Sequence, residues 1–550
     1  MAHYNKRERP MIRFPQLFKP FAIHPVQLRN RITMAPLFTG YAHGDGRVSR
    51  LTLDHYKTLA GGGAAMIVVA NAVVDQSGTL SRYSLRVDDD QFLPGLRKLA
   101  ETIKKEGAAA VLQINHGGRF SRGENIYGPS SVSFTNINIG GFYKTALKSR
   151  NFQYMWSLLS EAFQQRAQRL KVMTLADIKH IIEAYTRAAC RAKASGFDMV
   201  EIHGGTGYLP VQFLSPRTNR RKDEYGGILE NRMRFPLELF RSVKDGVGLD
   251  FPVGYRFLAD EWLKGGFSLK EAKLFAERLS ALQVDYLSVT GGTYESFFDP
   301  EVINKSQEPG YMVCLAEQIK ALVDCPVITT GRIMTPELAE DILEHEKADL
   351  IGLARPLFAD PLWPEKACAG KQSTIVPCEN CGTCFQMILT DRPALCSQWD
   401  KAKLVRRKSM SKKVRQPNQK ILLAMDGSED ALMGASYAAR MLAKRKDIVV
   451  TILHIQTDES IKNEKEINEM IDFARHLLVE AGIPEKSIAI QIGKETAGVA
   501  RDILDAVKAG GHDTVILGRR GLSRTQQLLF GSVSNKVVKN ANNCTVWVVD

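Results

Sequence analysis

Eight short apolar runs, each followed by an amphipathic stretch, recur between residues 15 and 360 and constrain the fold more than any other feature of the chain. The runs cover residues 31–36, 64–70, 109–115, 197–204, 251–257, 284–291, 325–331 and 348–354. They are nearly continuous in Val, Ile, Leu and Ala, as expected of parallel strands buried on both faces. The stretches between them, such as SLKEAKLFAERLSAL (268–282) and TPELAEDILEHE (335–346), have helical periodicity. Eight β-then-α units predict a (β/α)8 TIM barrel over residues 1–370. A doubly wound open sheet would ordinarily use fewer strands.

The chain has 550 residues, more than one hydrophobic core supports. A second alternation begins with KILLAMDGS and ends with CTVWVVD, which predicts a separate, doubly wound parallel α/β domain over residues 418–550. Between the two lie a four-cysteine segment (371–400) and a basic one (401–417). Residues 401–420 hold nine Lys and Arg and no acid, the composition of a solvated linker. Residues 131–172 interrupt the barrel rhythm and exceed an ordinary connection, so they are either a substrate-binding lid or a surface decoration. The net charge of +14 suits small anions such as phosphates and acyl-CoA, and no nucleic-acid-binding motif accompanies it. With no membrane-length apolar run and a charged N-terminus lacking an apolar signal core, the expected location is the cytoplasm.

Reactive groups of a TIM barrel sit at the carboxyl ends of its strands. Here those ends carry Ala35-Pro36-Leu37-Phe38, then Gln113 and His116, then His203-Gly-Gly-Thr206-Gly-Tyr208, then Arg256. The last two strands end in Gly331-Arg332 and Ala354-Arg355, where barrels grip a phosphate with backbone N–H groups and a guanidinium fork.

NRITMAPL, LQINHGGR, GPSS, GFDMVEIHGGTGYLPVQFLSPRTNRRKDEYGG, LENRMRF and GLARPLFADP together resemble the Old Yellow Enzyme family across residues 15–365. The segment 196–235 is the most specific part. The resemblance implies FMN and hydride transfer from its N5 to an electrophilic C=C bond. It places Ala35, Pro36, Leu37, Phe38, Ala70, Gln113, Arg256, Gly331, Arg332, Ala354 and Arg355 around the flavin. Gln113 and Arg256 would hold its pyrimidine edge, and Arg332 and Arg355 its phosphate.

Within the family, the chain is most similar to the subgroup of 2,4-dienoyl-CoA reductase and trimethylamine dehydrogenase. Tyr208 aligns with the family's proton-donating tyrosine; the plainer alternative is a packing aromatic at the barrel mouth. Many members carry His-x-x-His or His-x-x-Asn, whereas this chain has His203-x-x-Thr206. A threonine hydroxyl is shorter and a weaker donor than imidazole, which argues against the usual carbonyl clamp of enone reduction. The dienoyl-CoA reductases also lack that pair, so the resemblance points to an unsaturated acyl-CoA-type substrate. Tyr294 and Glu295 fall near that subgroup's second acid–base group.

Cys378-x2-Cys381-x2-Cys384-x11-Cys396 has ligand spacing for an iron–sulfur cluster or zinc. The subgroup carries a 4Fe-4S cluster here, with three residues between its second and third cysteines where this chain has two. The subgroup continues into FAD- and NADPH-binding domains, but no G-x-G-x-x-G follows a strand after residue 400 here. Either NAD(P)H reduces the FMN directly, or an external donor protein feeds the cluster.

ILLAMDGSE and Gly518-x2-Gly521-x9-Gly531-Ser532 resemble the universal stress protein family, with the glycine spacing of its ATP-binding members. That resemblance places Asp426 on the ribose or adenine side of ATP or AMP, and Gly518, Gly521, Gly531 and Ser532 at its phosphates. A domain that dimerises and binds nothing is the alternative. Three readings of the whole chain follow: a C=C reductase, a dehydrogenase passing electrons out through the cluster, and a nucleotide-responsive sensor or scaffold with an inactive barrel. Self-association into a homo-oligomer is expected of both parent families.

Overall fold

The computed structural model describes residues 13–122, 126–131, 170–389, 391–414, 419–443, 448–458, 460, 464–519, 531–541 and 544–549. It divides into two compact units, residues 1–414 and 415–550.

The barrel strands of the first unit are β1 (Ile32–Met34), β2 (Met66–Val73), β3 (Ala109–Asn115), β4 (Met199–Gly204), β5 (Val253–Asp260), β6 (Tyr286–Gly291), β7 (Val327–Thr329) and β8 (Leu350–Leu353). Each pairs in parallel with its neighbours in chain order, and β1 closes the ring by pairing with both β8 and β2. Their apolar runs fill the closed sheet: every residue of β2, β3 and β4 is buried. A hairpin, Phe21–Ile23 with Val26–Leu28, contributes Ile23 and Leu28 to the interior cluster around Met66, Val111, Met199 and Ile328.

The helices start where local chemistry directs. Thr174 and Ser268 each form a reciprocal capping box, with Asp177 and Glu271 respectively. Thr335 caps the helix Pro336–Glu344, whose first residue is a proline that gives up no needed N–H. Of the interruption at 131–172, residues 132–169 lie outside the described residues; its flanks Ile126–Gly128 and Leu170–Val172 pair in parallel.

Within the basic segment, Lys401–Val414 forms a helix. Arg407 is only 5% exposed: its guanidinium pairs with Asp54 at 2.9 Å and lies 5.9 Å from both the Tyr41 and Trp399 ring centres. Arg406 reaches the same carboxylate at 3.0 Å. An isolated basic run reads as solvated because its counter-ion is out of view, here some 350 residues away in sequence. Arg407→Ala removes a charged hydrogen bond and the cover of two rings, and is expected to cost about 2 kcal/mol of stability. An unchanged urea midpoint would show the helix to be passive.

The second unit is a five-stranded parallel sheet of β9 (Gln419–Ala424), β10 (Ile448–Gln456), β11 (Ile488–Lys494), β12 (Thr514–Gly518) and β13 (Thr545–Val549), ordered β11-β10-β9-β12-β13. The order reverses at β9, so the crevice between the carboxyl ends of β9 and β12 is a topological switch point, where such sheets bind ligands.

Candidate active site

A cavity of about 150 Å³ opens at the carboxyl ends of the barrel strands. Of the expected flavin residues, Ala35, Pro36, Arg256, Gly331, Arg332, Ala354 and Arg355 line it. Leu37 packs against both the barrel core and the apolar cluster of Tyr41, Phe358, Cys396 and Trp399, and Phe38 is half-buried. Ala70 is buried, its amide donating to the Tyr56 hydroxyl at 3.0 Å, and Gln113 is 1% exposed within β3. The sequence reading missed Thr290, Tyr311, Met312 and Thr330 on the same wall, which no local motif marks.

It also missed Asn380. This residue, at a left-handed φ of +55°, carries the cysteine segment onto the cavity. Arg355 donates to its Oδ1, while its Nδ2 donates to Gln307 Oε1 at 3.3 Å. Gln307 Oε1 also accepts from Arg332 Nη1 at 2.8 Å. Both guanidiniums are thus braced by neutral amides, which leaves their charge available to an anion. Gly331 is required at its position: φ is +104°, and a Cβ would lie 2.8 Å from Met312.

Beneath this end, Gln113 Nε2 donates to Glu201 Oε1 at 2.7 Å, and Arg256 Nη1 to Ser288 Oγ at 2.7 Å. Burial pushes the Glu201 carboxyl up to about 7, against the pull of Arg256.

The loops after β4 and β6 meet at the mouth. Thr206, at φ +60°, bridges to Thr293, and the amide of Tyr294 donates to the Thr206 carbonyl at 3.4 Å. This junction sets the hydroxyls of Tyr208 and Tyr294 2.7 Å apart. Phe120 meets both rings edge-on, and the His203 ring stands perpendicular to Tyr208 with centres 4.7 Å apart. Burial, then the charge of Arg256, depresses His203 to about 3, so it is neutral near pH 7. Burial and the neighbouring Tyr294 raise Tyr208 well above 10, so its phenol holds its proton. Glu295 pairs with Arg119 at 2.7 Å, both nearly buried, rather than projecting as a free acid. His116 faces away from this pair: its Nε2 lies 2.9 Å from Ser77 Oγ.

Cys378, Cys381, Cys384 and Cys396 together line one cavity of about 20 Å³, with Arg355 and Asn380 on its wall. Among the described residues no group of three or more His, Cys, Asp or Glu is arranged to hold a metal ion. Burial raises the Cys384 and Cys396 thiols. At Cys381 burial also opposes ionisation, but hydrogen bonds from Ser397 and Thr383 outweigh it and lower the thiol.

In the second unit, Asp426, Gly518, Gly531 and Ser532 line a cavity of about 190 Å³ at the switch point. Gly521 lies outside the described residues. Asp426 Oδ1 accepts from the Ser428 amide at 3.0 Å and its hydroxyl at 2.6 Å. Gly518 is a close-approach glycine, since a Cβ would sit 2.5 Å from the Asp430 carbonyl carbon. His454, Thr457, Ser460 and Ser534 on the same lining carried no sequence signal.

The closed parallel barrel thus carries a guanidinium pair and a hydrogen-bonded phenol pair at the carboxyl ends of its strands. The chain belongs to the NADH:flavin oxidoreductase / NADH oxidase family, whose sequence model matches residues 16–373. Residues 417–550 match the universal stress protein family. An NADH oxidase of Thermoanaerobacter brockii is 39% identical over 378 residues, covering 68% of this chain and 53% of that protein. A metal reductase of Desulforamulus reducens is 37% identical over 382 residues, covering 69% of this chain and 53% of that one. The chain therefore spans about half the length of these two relatives. The solved structure of a 2-naphthoyl-CoA reductase with 2-naphthoyl-CoA shares the fold, with a TM-score of 0.63 and 24% identity over 93% of this chain and 75% of the other. No helix among the described residues is long and apolar enough to cross a membrane.

Proposed function

We propose that the barrel holds FMN and reduces a conjugated C=C bond of an unsaturated acyl-CoA-type substrate with electrons from an external donor; Cys378, Cys381, Cys384 and Cys396 would hold a 4Fe-4S cluster, which would supply one-electron transfer. The observation that carries this reading is the Tyr208–Tyr294 hydroxyl pair, 2.7 Å apart on the loops that follow β4 and β6.

The residues suit FMN. Arg332 and Arg355, braced by Gln307 and Asn380, take the phosphate. Gln113 and Arg256 sit where the pyrimidine edge would rest. FMN held by these residues would supply hydride chemistry toward one carbon of the double bond. The other carbon needs a proton, and Tyr208 supplies it, because its phenol is kept neutral by burial and is hydrogen-bonded to Tyr294. Tyr294 then returns a proton to Tyr208 and, being only partly buried, is itself reprotonated from solvent water. Thr206, whose backbone joins the two loops, positions the pair, and neutral His203 packs against Tyr208 without competing for its proton.

Four cysteines lining one cavity, which Arg355 also lines, are the residues that would hold a cluster. Cys381→Ala is expected to lose the iron, about four atoms per chain, and the broad visible shoulder. Iron content that stays the same would remove this ligand set. Reduction by NAD(P)H without a partner is the second reading, supported by the names of the NADH oxidase and NADPH dehydrogenase relatives. Visible spectra of anaerobic protein decide between them: bleaching by dithionite but not by NADH supports the external donor, and bleaching by NADH overturns it.

The second unit takes ATP or AMP at its switch-point cavity. Asp426 is on one side, and Gly518, Gly531 and Ser532 on the other, where the helix Ser532–Asn540 begins and favours an anion.

A further inference from the structure

We infer that Glu201 is a positioning residue for the flavin: it sets which face of the Gln113 amide meets the pyrimidine edge, and it sets the net charge beside Arg256. The inference rests on the reading that the barrel holds FMN.

The observation is a layer of side chains from four adjacent strands. In the parallel registers Gln113 of β3 pairs with Glu201 of β4, Glu201 with Gly254 of β5, and Gly254 with Tyr286 of β6. Glu201 is wholly buried, and its Oε1 accepts from Gln113 Nε2 at 2.7 Å. Gly254 has no side chain, and the Tyr286 ring occupies that space, 2.0 Å from where a Cβ would stand. The Tyr286 hydroxyl is thereby brought beside the Glu201 carboxyl without full hydrogen-bond geometry. Among the described residues, Arg256, two residues on from Gly254, is the cation whose charge acts on Glu201, and His203 in the next layer is neutral near pH 7.

Two protonation states of Glu201 give two different sites. As a carboxylate it only accepts hydrogen bonds, so Gln113 must turn its N–H toward it and its Oε1 toward the ligand. As a neutral acid it also donates, and the amide is free to turn its NH2 group toward the ligand instead. The same proton changes the charge balance: an ionised Glu201 cancels Arg256, while a neutral one leaves that guanidinium uncompensated. The carboxyl titrates near neutral pH, being raised to about 7 by burial. A negative charge at this place opposes electron uptake by the flavin, so flavin reduction is easier below that pH than above it.

The test is the midpoint potential of the bound flavin, measured from well below to well above neutral pH in the wild-type holoprotein and in Glu201→Gln. The wild-type curve is expected to bend near neutral pH; the variant lacks that bend and lies above the wild type on its alkaline side. Superimposable curves overturn the inference. Should Glu201→Gln fail to fold, Tyr286→Phe serves: removing the phenol that favours the carboxylate moves the wild-type bend to higher pH, and an unmoved bend overturns the inference equally. A folded protein that binds no flavin would fail the functional reading itself, a separate result.

Discussion

Replacing Tyr208 by phenylalanine lowers turnover by about 100- to 1,000-fold while the barrel keeps its flavin. The magnitude follows from the geometry. Saturating a conjugated C=C bond adds a hydride and a proton, and in this mouth the Tyr208 phenol is hydrogen-bonded to a second phenol, Tyr294, at 2.7 Å. Burial and Tyr294 raise Tyr208 well above a free phenol, so the donor stays protonated across the physiological range. The variant deletes one oxygen and leaves the Phe120 and His203 ring contacts in place, so the fold and the flavin clamp are spared. The check is kcat for an enoyl- or dienoyl-CoA with chemically reduced enzyme, alongside flavin content. A kcat within about two-fold of wild type would take Tyr208 out of the proton path.

Arg355→Ala is expected to weaken FMN binding by about 10- to 100-fold, the value of one or two charge-assisted hydrogen bonds to a phosphate. Arg355 is held by Asn380, an amide that orients the guanidinium without neutralising it. Arg332, braced through Gln307, remains in the variant, so binding is weakened rather than abolished. Fluorescence titration of the apoprotein with FMN measures the change. Affinity equal to wild type would mean that the anion clamp serves another group.

The two variants report on different halves of the site. Arg355 shares its cavity wall with Cys378 and Asn380, so its loss is also expected to disturb the cysteine segment, whereas Tyr208 lies on the opposite loops.

How much of this was legible in the sequence depends on whether the physics runs along the chain or across it. A strand buried on both faces must be apolar throughout, so β2, β3 and β4 announced themselves as continuous runs and fell where the pattern placed them. A helix start needs a side chain that caps its own first amides, and Ser268 and Glu271 show it three residues apart. The cysteines are likewise local, at 378, 381, 384 and 396. These are properties of neighbours in sequence, and the sequence by itself determined them.

The tertiary structure alone decided what depends on partners from distant strands and loops. Nothing near Arg407 in sequence foretells Asp54, without which the basic segment reads as a solvated linker. Nothing around Asn380 foretells Arg355 and Gln307, which turn an unremarked residue of the cysteine segment into a brace of the anion clamp. Glu201 reads as one polar residue in an apolar strand until the barrel closes and sets it between Gln113, Arg256 and Tyr286. The reason is physical: hydrophobic periodicity records burial, which each residue reports for itself. The energy of a buried polar group is set instead by its partner, and in a closed barrel that partner comes from another strand.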